Sequence, residues 1–196
     1  MAIDEAAPVA PLGRRLAAFV LDGFVLVPVW IVYAVVFDAV FGPLVAADPG
    51  GQGIVVVAVD PLRMALELAL TLVTDAAYYA GSWVWWGMTP GQRACGVTVR
   101  AAAAALPAPA EQRRADVLPG RVPAQVATVR WAVLQLLPLC VGALGTAGAL
   151  PVGVVAGITA GWSGFLLLST AADPLRRGFH DRVAGTLVTA AVARRP

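Results

Sequence analysis

The chain contains no lysine. Its fourteen basic side chains are all arginine, set against twelve acidic ones for a net charge of +2. So even a balance lacks the positive excess of a nucleic-acid binder. Histidine occurs once and cysteine twice. Cys95 falls in a charged connecting stretch and Cys140 in an apolar one, so neither a disulfide framework nor a metal-ligand spacing can be assembled, and both read as plain small residues. Gly-rich phosphate loops, serine–histidine pairs and metal clusters are also missing, which predicts no enzyme, no cofactor and no metal. With no second ligand at helical spacing, His180 reads as an interfacial hydrogen-bonding residue. Charge of either sign is scarce, 13% of residues where soluble domains carry about 25%.

What fills the space is apolar: 59% of residues, with a mean hydropathy of +0.78. A bilayer span needs ~20 predominantly apolar residues, and windows at about 16–40, 62–86, 126–148 and 152–170 reach that length. The predicted fold is therefore an all-α membrane protein, a four-transmembrane-helix bundle. The run after Arg14 and Arg15 is too long for a signal-peptide core and contains Asp22, so it reads as a retained helix. Residues 1–13 are expected to be a disordered N-terminus, and 101–125, rich in proline and charge without a period, a flexible linker.

Arginine placement orients the bundle. Arg14, Arg15, Arg93, Arg100, Arg113, Arg114, Arg121, Arg176, Arg177, Arg182, Arg194 and Arg195 fall on one side, with Arg130 just inside the third helix and only Arg63 opposite. The positive-inside rule then predicts both termini and the 87–125 loop in the cytoplasm, beneath the plasma membrane. Asp60 followed by Pro61 predicts the start of helix two, and "WVWW" at 83–86 an aromatic belt. Gly153, Gly157 and Gly161, with Gly142, Gly145 and Ala149, predict a close-packed hairpin of the last two helices.

The spans also hold acids. An aspartate at helix centre opposes insertion by roughly 2.5–3.5 kcal/mol, while each Leu, Ile, Phe or Val returns about 0.3–0.6. Fourteen such residues in 16–37 offset Asp22, whereas the seven Leu and Val of helix two face both Glu67 and Asp75. That helix needs partners, protonation or water. At 100° per residue Glu67, Thr71, Thr74, Asp75, Tyr78 and Ser82 share one arc, and Arg15, Asp22 and Tyr33 share a narrower one on helix one. The two stripes are expected to face each other. Arg15 or Arg130 can then neutralise Asp22 or an acid of the C-terminal tail. Two readings stand side by side: Arg15, Asp22, Arg130 and Asp181 as a charge network holding the helices in register, and Asp22, Asp75, Glu67, Thr71 and Tyr78 as the lining of a proton or cation path.

Three blocks, "RRLAAFVLD" at 14–22, "GMTPGQRACGVTV" at 87–99 and "RRGFHDRVAGTLV" at 176–188, together resemble the RDD family of bacterial membrane proteins. The arginine and two aspartates of that name match Arg15, Asp22 and Asp181. Gln92 departs from the lysine frequent at that place, with Arg93 as a stand-in. The resemblance implies a multi-pass inner-membrane protein, for which transport, including cation/proton antiport, is the proposed activity. On the residues alone, Gly87, Thr89, Pro90, Gly91 and Gly96 form a cytoplasmic turn motif, with glycines permitting tight turns. The β-prone segments 97–99 and 187–189 are predicted to pair in a small β-like cap that brings Asp181 to Arg15 or Arg130. The function expected is movement of small cations or protons, in a homo-oligomer because four helices without a repeat are few for a carrier. The alternative is a non-catalytic adaptor or scaffold that binds a partner protein or anionic lipid through the arginine-rich face.

Overall fold

The computed structural model describes residues 8–43, 45–47, 54–56, 60–102 and 121–190. Most of them are helical. Helix α1 runs Leu12–Phe41 with Pro28 inside it. A short antiparallel hairpin comes next, β1 Val45–Ala47 against β2 Ile54–Val56. The apolar run 54–59 is thus a strand where it is described.

Helix α2 covers 61–86. It begins as the Asp60–Pro61 pair predicts: the Asp60 carboxylate accepts from the Leu62 N–H at 2.7 Å and proline takes the first helical position. It is not a uniform α-helix, because a π-helical turn, Ala77–Gly81, separates Pro61–Ala76 from Ser82–Trp86. One extra residue in a turn sets everything after it back by about 100°. That rotation carries Trp83 onto the polar stripe. Trp83 is core rather than belt, 1% exposed, while Trp85 and Trp86 stay outside.

Helix α3, Pro90–Ala94, is one turn sealed by a capping box. Thr89 Oγ1 accepts from the Gln92 N–H, and Gln92 Oε1 accepts from the Thr89 N–H and from Trp83 Nε1. Gln92 therefore has its own structural task. Arg93 is exposed.

Helix α4, Ala124–Thr146, also carries a π turn, Ala132–Leu136. Just beyond that turn stands Pro138, and a proline cannot donate to the carbonyl four residues back. That carbonyl, on Leu134, accepts instead from Trp162 Nε1 at 3.4 Å on α5, Val152–Ala172. The α4–α5 hairpin is close at one small residue, since a Cβ on Gly145 would fall 2.7 Å from Val155. The packed hairpin expected of the glycine stripe is otherwise not what those residues do. Gly153, Gly157 and Gly161 are exposed, and a Cβ on any of them would meet nothing within 4 Å among the described residues.

The chain ends in α6, Phe179–Ala184, and β4, Thr186–Ala190. β4 pairs antiparallel with β3, Val97–Ala101, in a register that sets Val99 opposite Val188. This is the predicted 97–99 and 187–189 pairing. The first described residues join it. Val9 bridges Thr189, the Ala10 N–H donates to the Val188 carbonyl, and the Ala190 N–H donates to the Pro8 carbonyl. Disorder over 1–13 is thus corrected from Pro8 onward: the otherwise unpaired edge of β4 presents backbone donors and acceptors, and residues 8–10 pair with them. The 101–125 linker shrinks likewise, with Ala101 in β3, Val122 buried and helix from Ala124. Residues 103–120 lie outside the described ones.

Among the described residues, three helices are long and apolar enough to cross a membrane: Leu12–Phe41, Ala124–Thr146 and Val152–Ala172. Phe24, Val35, Val152 and Leu168 point outward from them, as in a protein whose solvent is hydrocarbon. Four spans were expected, the second of them in need of partners, protonation or water. Residues 61–86 are not among the three, and they contain Arg63, Glu67 and Asp75.

Candidate functional site

At the sheet end two carboxylates are enclosed. Asp22 is 1% exposed on α1. Its Oδ1 accepts from Tyr78 Oη at 2.7 Å and from the Gly91 N–H at 2.8 Å, and its Oδ2 accepts from Thr89 Oγ1 at 2.6 Å. Partnership with Arg15 or Arg130 is corrected: hydroxyl and backbone donors compensate this charge. A first-turn N–H suits an anion because it has no partner within its own helix. Gly91 is consequently not a turn glycine. A Cβ there would collide with the Ala18 carbonyl and sit 2.7 Å from Asp22 Oδ1, so the residue permits contact. The other two behave as predicted, with left-handed φ of 71° at Gly87 and 63° at Gly96.

Asp181 is where the arginines go. Its Oδ1 accepts from Arg130 Nε at 2.9 Å and Thr186 Oγ1 at 3.0 Å; its Oδ2 accepts from the Gly178 N–H at 3.3 Å and lies 3.6 Å from Arg15 Nη1. Arg15 also donates to the carbonyls of Ala10, Arg176 and Val188. One side chain thereby fastens the N-terminal stretch, the loop before α6 and β4 to α1. The Arg130 guanidinium lies 4.2 Å over the Trp83 ring. Burial is the largest single influence and would raise the Asp181 carboxyl, but Arg130, His180 and Arg15 together hold the group below the usual carboxylate range. His180 sits 3.5 Å from Asp181 Oδ2. Burial pushes its imidazole down to about 4 against the pull of Asp181.

Farther along α2 the arrangement thins. Asp75, 3% exposed, accepts from Trp131 Nε1 at 2.7 Å and has no ion-pair partner among the described residues. Tyr33 Oη and Thr74 Oγ1 meet at 2.6 Å. With Tyr78 bound to Asp22, the stripes of α1 and α2 do face each other. Glu67 and Thr71 do not join Asp22. They line a separate cavity of about 310 Å³ with Tyr33, Met64 and Thr146, whereas Asp22, Arg15, Arg130 and Asp181 line one of about 170 Å³.

Glu67 answers to a group that sequence reasoning passed over. Arg63, 2% exposed, donates to Asp38 Oδ1 at 2.6 Å and to the Gly42 carbonyl, with its Nε 3.7 Å from Glu67. Opposite charges at adjoining ends of consecutive helices were the available signal. Trp131 and Gln92 were missed as well; the Thr-x-x-Gln capping pattern pointed to the second.

The model of the RDD family matches residues 9–113. That stretch includes Arg15, Asp22 and the 87–99 block; the 176–188 block, which returns to Arg15, lies beyond it. Neither a curated protein nor a solved structure matches the chain.

Proposed function

The chain belongs to the RDD family, a family of membrane proteins, and from that premise we propose that it moves protons or small cations through a polar interior centred on Asp75. The observation that carries this is a carboxylate 3% exposed in the middle of an apolar bundle with a single tryptophan donor. A buried acid without a cation can be neutralised by an arriving one, and intramembrane acids facing a bundle interior commonly mark such routes. Along α2 it stands between Glu67, which lines one cavity, and Tyr79, which lines the other. Helix α2 crosses as the fourth span in this reading: residues 61–86 extend roughly 39 Å at 1.5 Å per residue, more than the ~30 Å hydrocarbon core. Exposed Arg14, Arg93, Arg121, Arg176 and Arg182 gather toward the sheet end and Arg63 is buried at the other. That end is then cytoplasmic, beneath a bacterial plasma membrane, with β3 and β4 as a cap. A carrier this small works as a homo-oligomer, and stoichiometry in lipid checks it.

The test is flux. In vesicles holding a pH-sensitive dye, under imposed Na⁺, K⁺ or H⁺ gradients, the wild-type chain dissipates a gradient and Asp75→Asn does not. Flux that survives Asp75→Asn sinks the reading. The exposed arginines favour a second one, a non-catalytic adaptor docking on anionic lipid or a partner, each residue near the surface contributing about 1 kcal/mol. Absent flux, with vesicle binding that falls on neutralising Arg14, Arg93 and Arg182, selects it.

A further inference from the structure

The cavity at the sheet end has a charged floor and an apolar mouth. Arg130 is 4% exposed. Its Nε is committed to Asp181 and its face to Trp83, yet Nη1 is buried without an acceptor among the described residues. Nδ1 of His180, which lines the same cavity, is also unpartnered. A buried guanidinium N–H lacking a partner is costly and rare, so it asks what should be there. The acids nearby do not supply it: Asp181 accepts from Arg130 Nε, Thr186 and Gly178, and Asp22 from Tyr78, Gly91 and Thr89, none of these bonds coming from Nη1.

The mouth identifies the visitor's other half. Leu16, Phe19 and Leu167 line the cavity and remain 47%, 48% and 40% exposed. The opening therefore lies between α1 and α5, among side chains that in a membrane face acyl chains. Its volume of about 170 Å³ holds a handful of non-hydrogen atoms, given ~30 Å³ per water. A head group fits; the chains must stay outside.

We propose that this cavity binds the phosphate of an anionic phospholipid, which enters sideways between α1 and α5 and accepts a hydrogen bond from Arg130 Nη1. The site rests on neither reading of function above, since it involves neither Asp75 nor the exposed arginines.

The test presents the purified full chain in detergent with equimolar phosphatidylglycerol and phosphatidylcholine of identical chains, counting retained lipids by native mass spectrometry. Both lipids carry the phosphate, but only phosphatidylcholine would bring a cation of its own to a cavity lined by Arg15 and Arg130, so wild type keeps the anionic lipid about tenfold over the zwitterionic one. Arg130→Lys, which preserves a cation beside Asp181 but removes the fork, loses that preference. So does Ser163→Trp, which fills the mouth from α5 without touching the charges. Arg14→Gln with Arg93→Gln leaves it intact. Equal retention of both lipids by wild type overturns the proposal, as does a preference that survives Ser163→Trp or one abolished by the Arg14 and Arg93 changes. Glycerol phosphate displacing the lipid at equal concentration overturns it too, because the site would then recognise a free anion.

Discussion

Asp22 and Asp181 lie toward the sheet end and Asp75 midway along α2, and all three are at most 3% exposed. They are held in opposite ways. Asp22 has three donors from α2, Thr89 and the α3 backbone, and Asp181 has two arginines, a threonine and a backbone N–H. Asp75 has one indole. A carboxylate encircled by donors from several elements is a fastener, because changing its charge breaks every junction at once. One with a single donor can change its charge with little else moving. On the proposed reading Asp22 and Asp181 belong with assembly, and the acid suited to traffic is Asp75.

The widest gap should appear on removing the acids. Asp181→Ala leaves Arg130 and Arg15 buried against no carboxylate, a loss of about 3–5 kcal/mol, read as a collapse of the unfolding midpoint in detergent. Asp75→Asn keeps an oxygen for Trp131, so the same measurement should move by about 1 kcal/mol or less. Comparable losses would end the distinction between fastener and carrier. Next comes Gly91→Ala. The added methyl meets the Ala18 carbonyl and Asp22, so α3 must withdraw at a cost of roughly 1–3 kcal/mol. Alanine at exposed Gly157, where a Cβ has open space, is the control that should lose no stability and gain up to about 1 kcal/mol of helix propensity.

Legibility in the sequence differs between the same two regions. The polar stripe of α2 and its facing of α1 were legible from 100° steps, since Thr74, Tyr78 and Tyr33 need only helical geometry to be placed. The pairing of 97–99 with 187–189 was legible from β-propensity and flanking glycine. Asp22's partners were not, because Thr89 and Gly91 lie far along the chain and a backbone N–H has no side chain to announce it. Trp83 was misplaced for a different reason: 100° steps hold only along one uniform helix, and the π turn rotates whatever comes after it. The candidate route through Glu67, Thr71, Asp75, Tyr78 and Asp22 was likewise drawn as one line, whereas in the fold Glu67 pairs with Arg63 on the far side of Asp75.

Acid should loosen the sheet end in two separable steps. An unfolded imidazole titrates near 6.5 and the buried His180 near 4, so between those values the unfolded state binds the additional proton. Stability from keeping His180 neutral is complete above pH 6.5 and declines toward pH 4, by roughly 1 kcal/mol at pH 6. His180→Gln should flatten that slope. Asp181 works in a lower window. Its folded value is depressed, so its contribution is present above the unfolded carboxylate range and disappears as pH falls below it.

The smallest effect tests the middle of the bundle. Tyr33 Oη and Thr74 Oγ1 form a direct hydrogen bond between α1 and α2, and such bonds within membranes average about 0.6 kcal/mol. Tyr33→Phe and Thr74→Val should each cost that amount, and a double-mutant cycle should return nearly all of it as coupling, since either change alone removes the same bond. A coupling several times larger would mean that the two helices are clamped at the level of Asp75 as firmly as around Asp22. The contrast between a fastened end and a permissive middle would then fail, and with it the reason to assign traffic to Asp75.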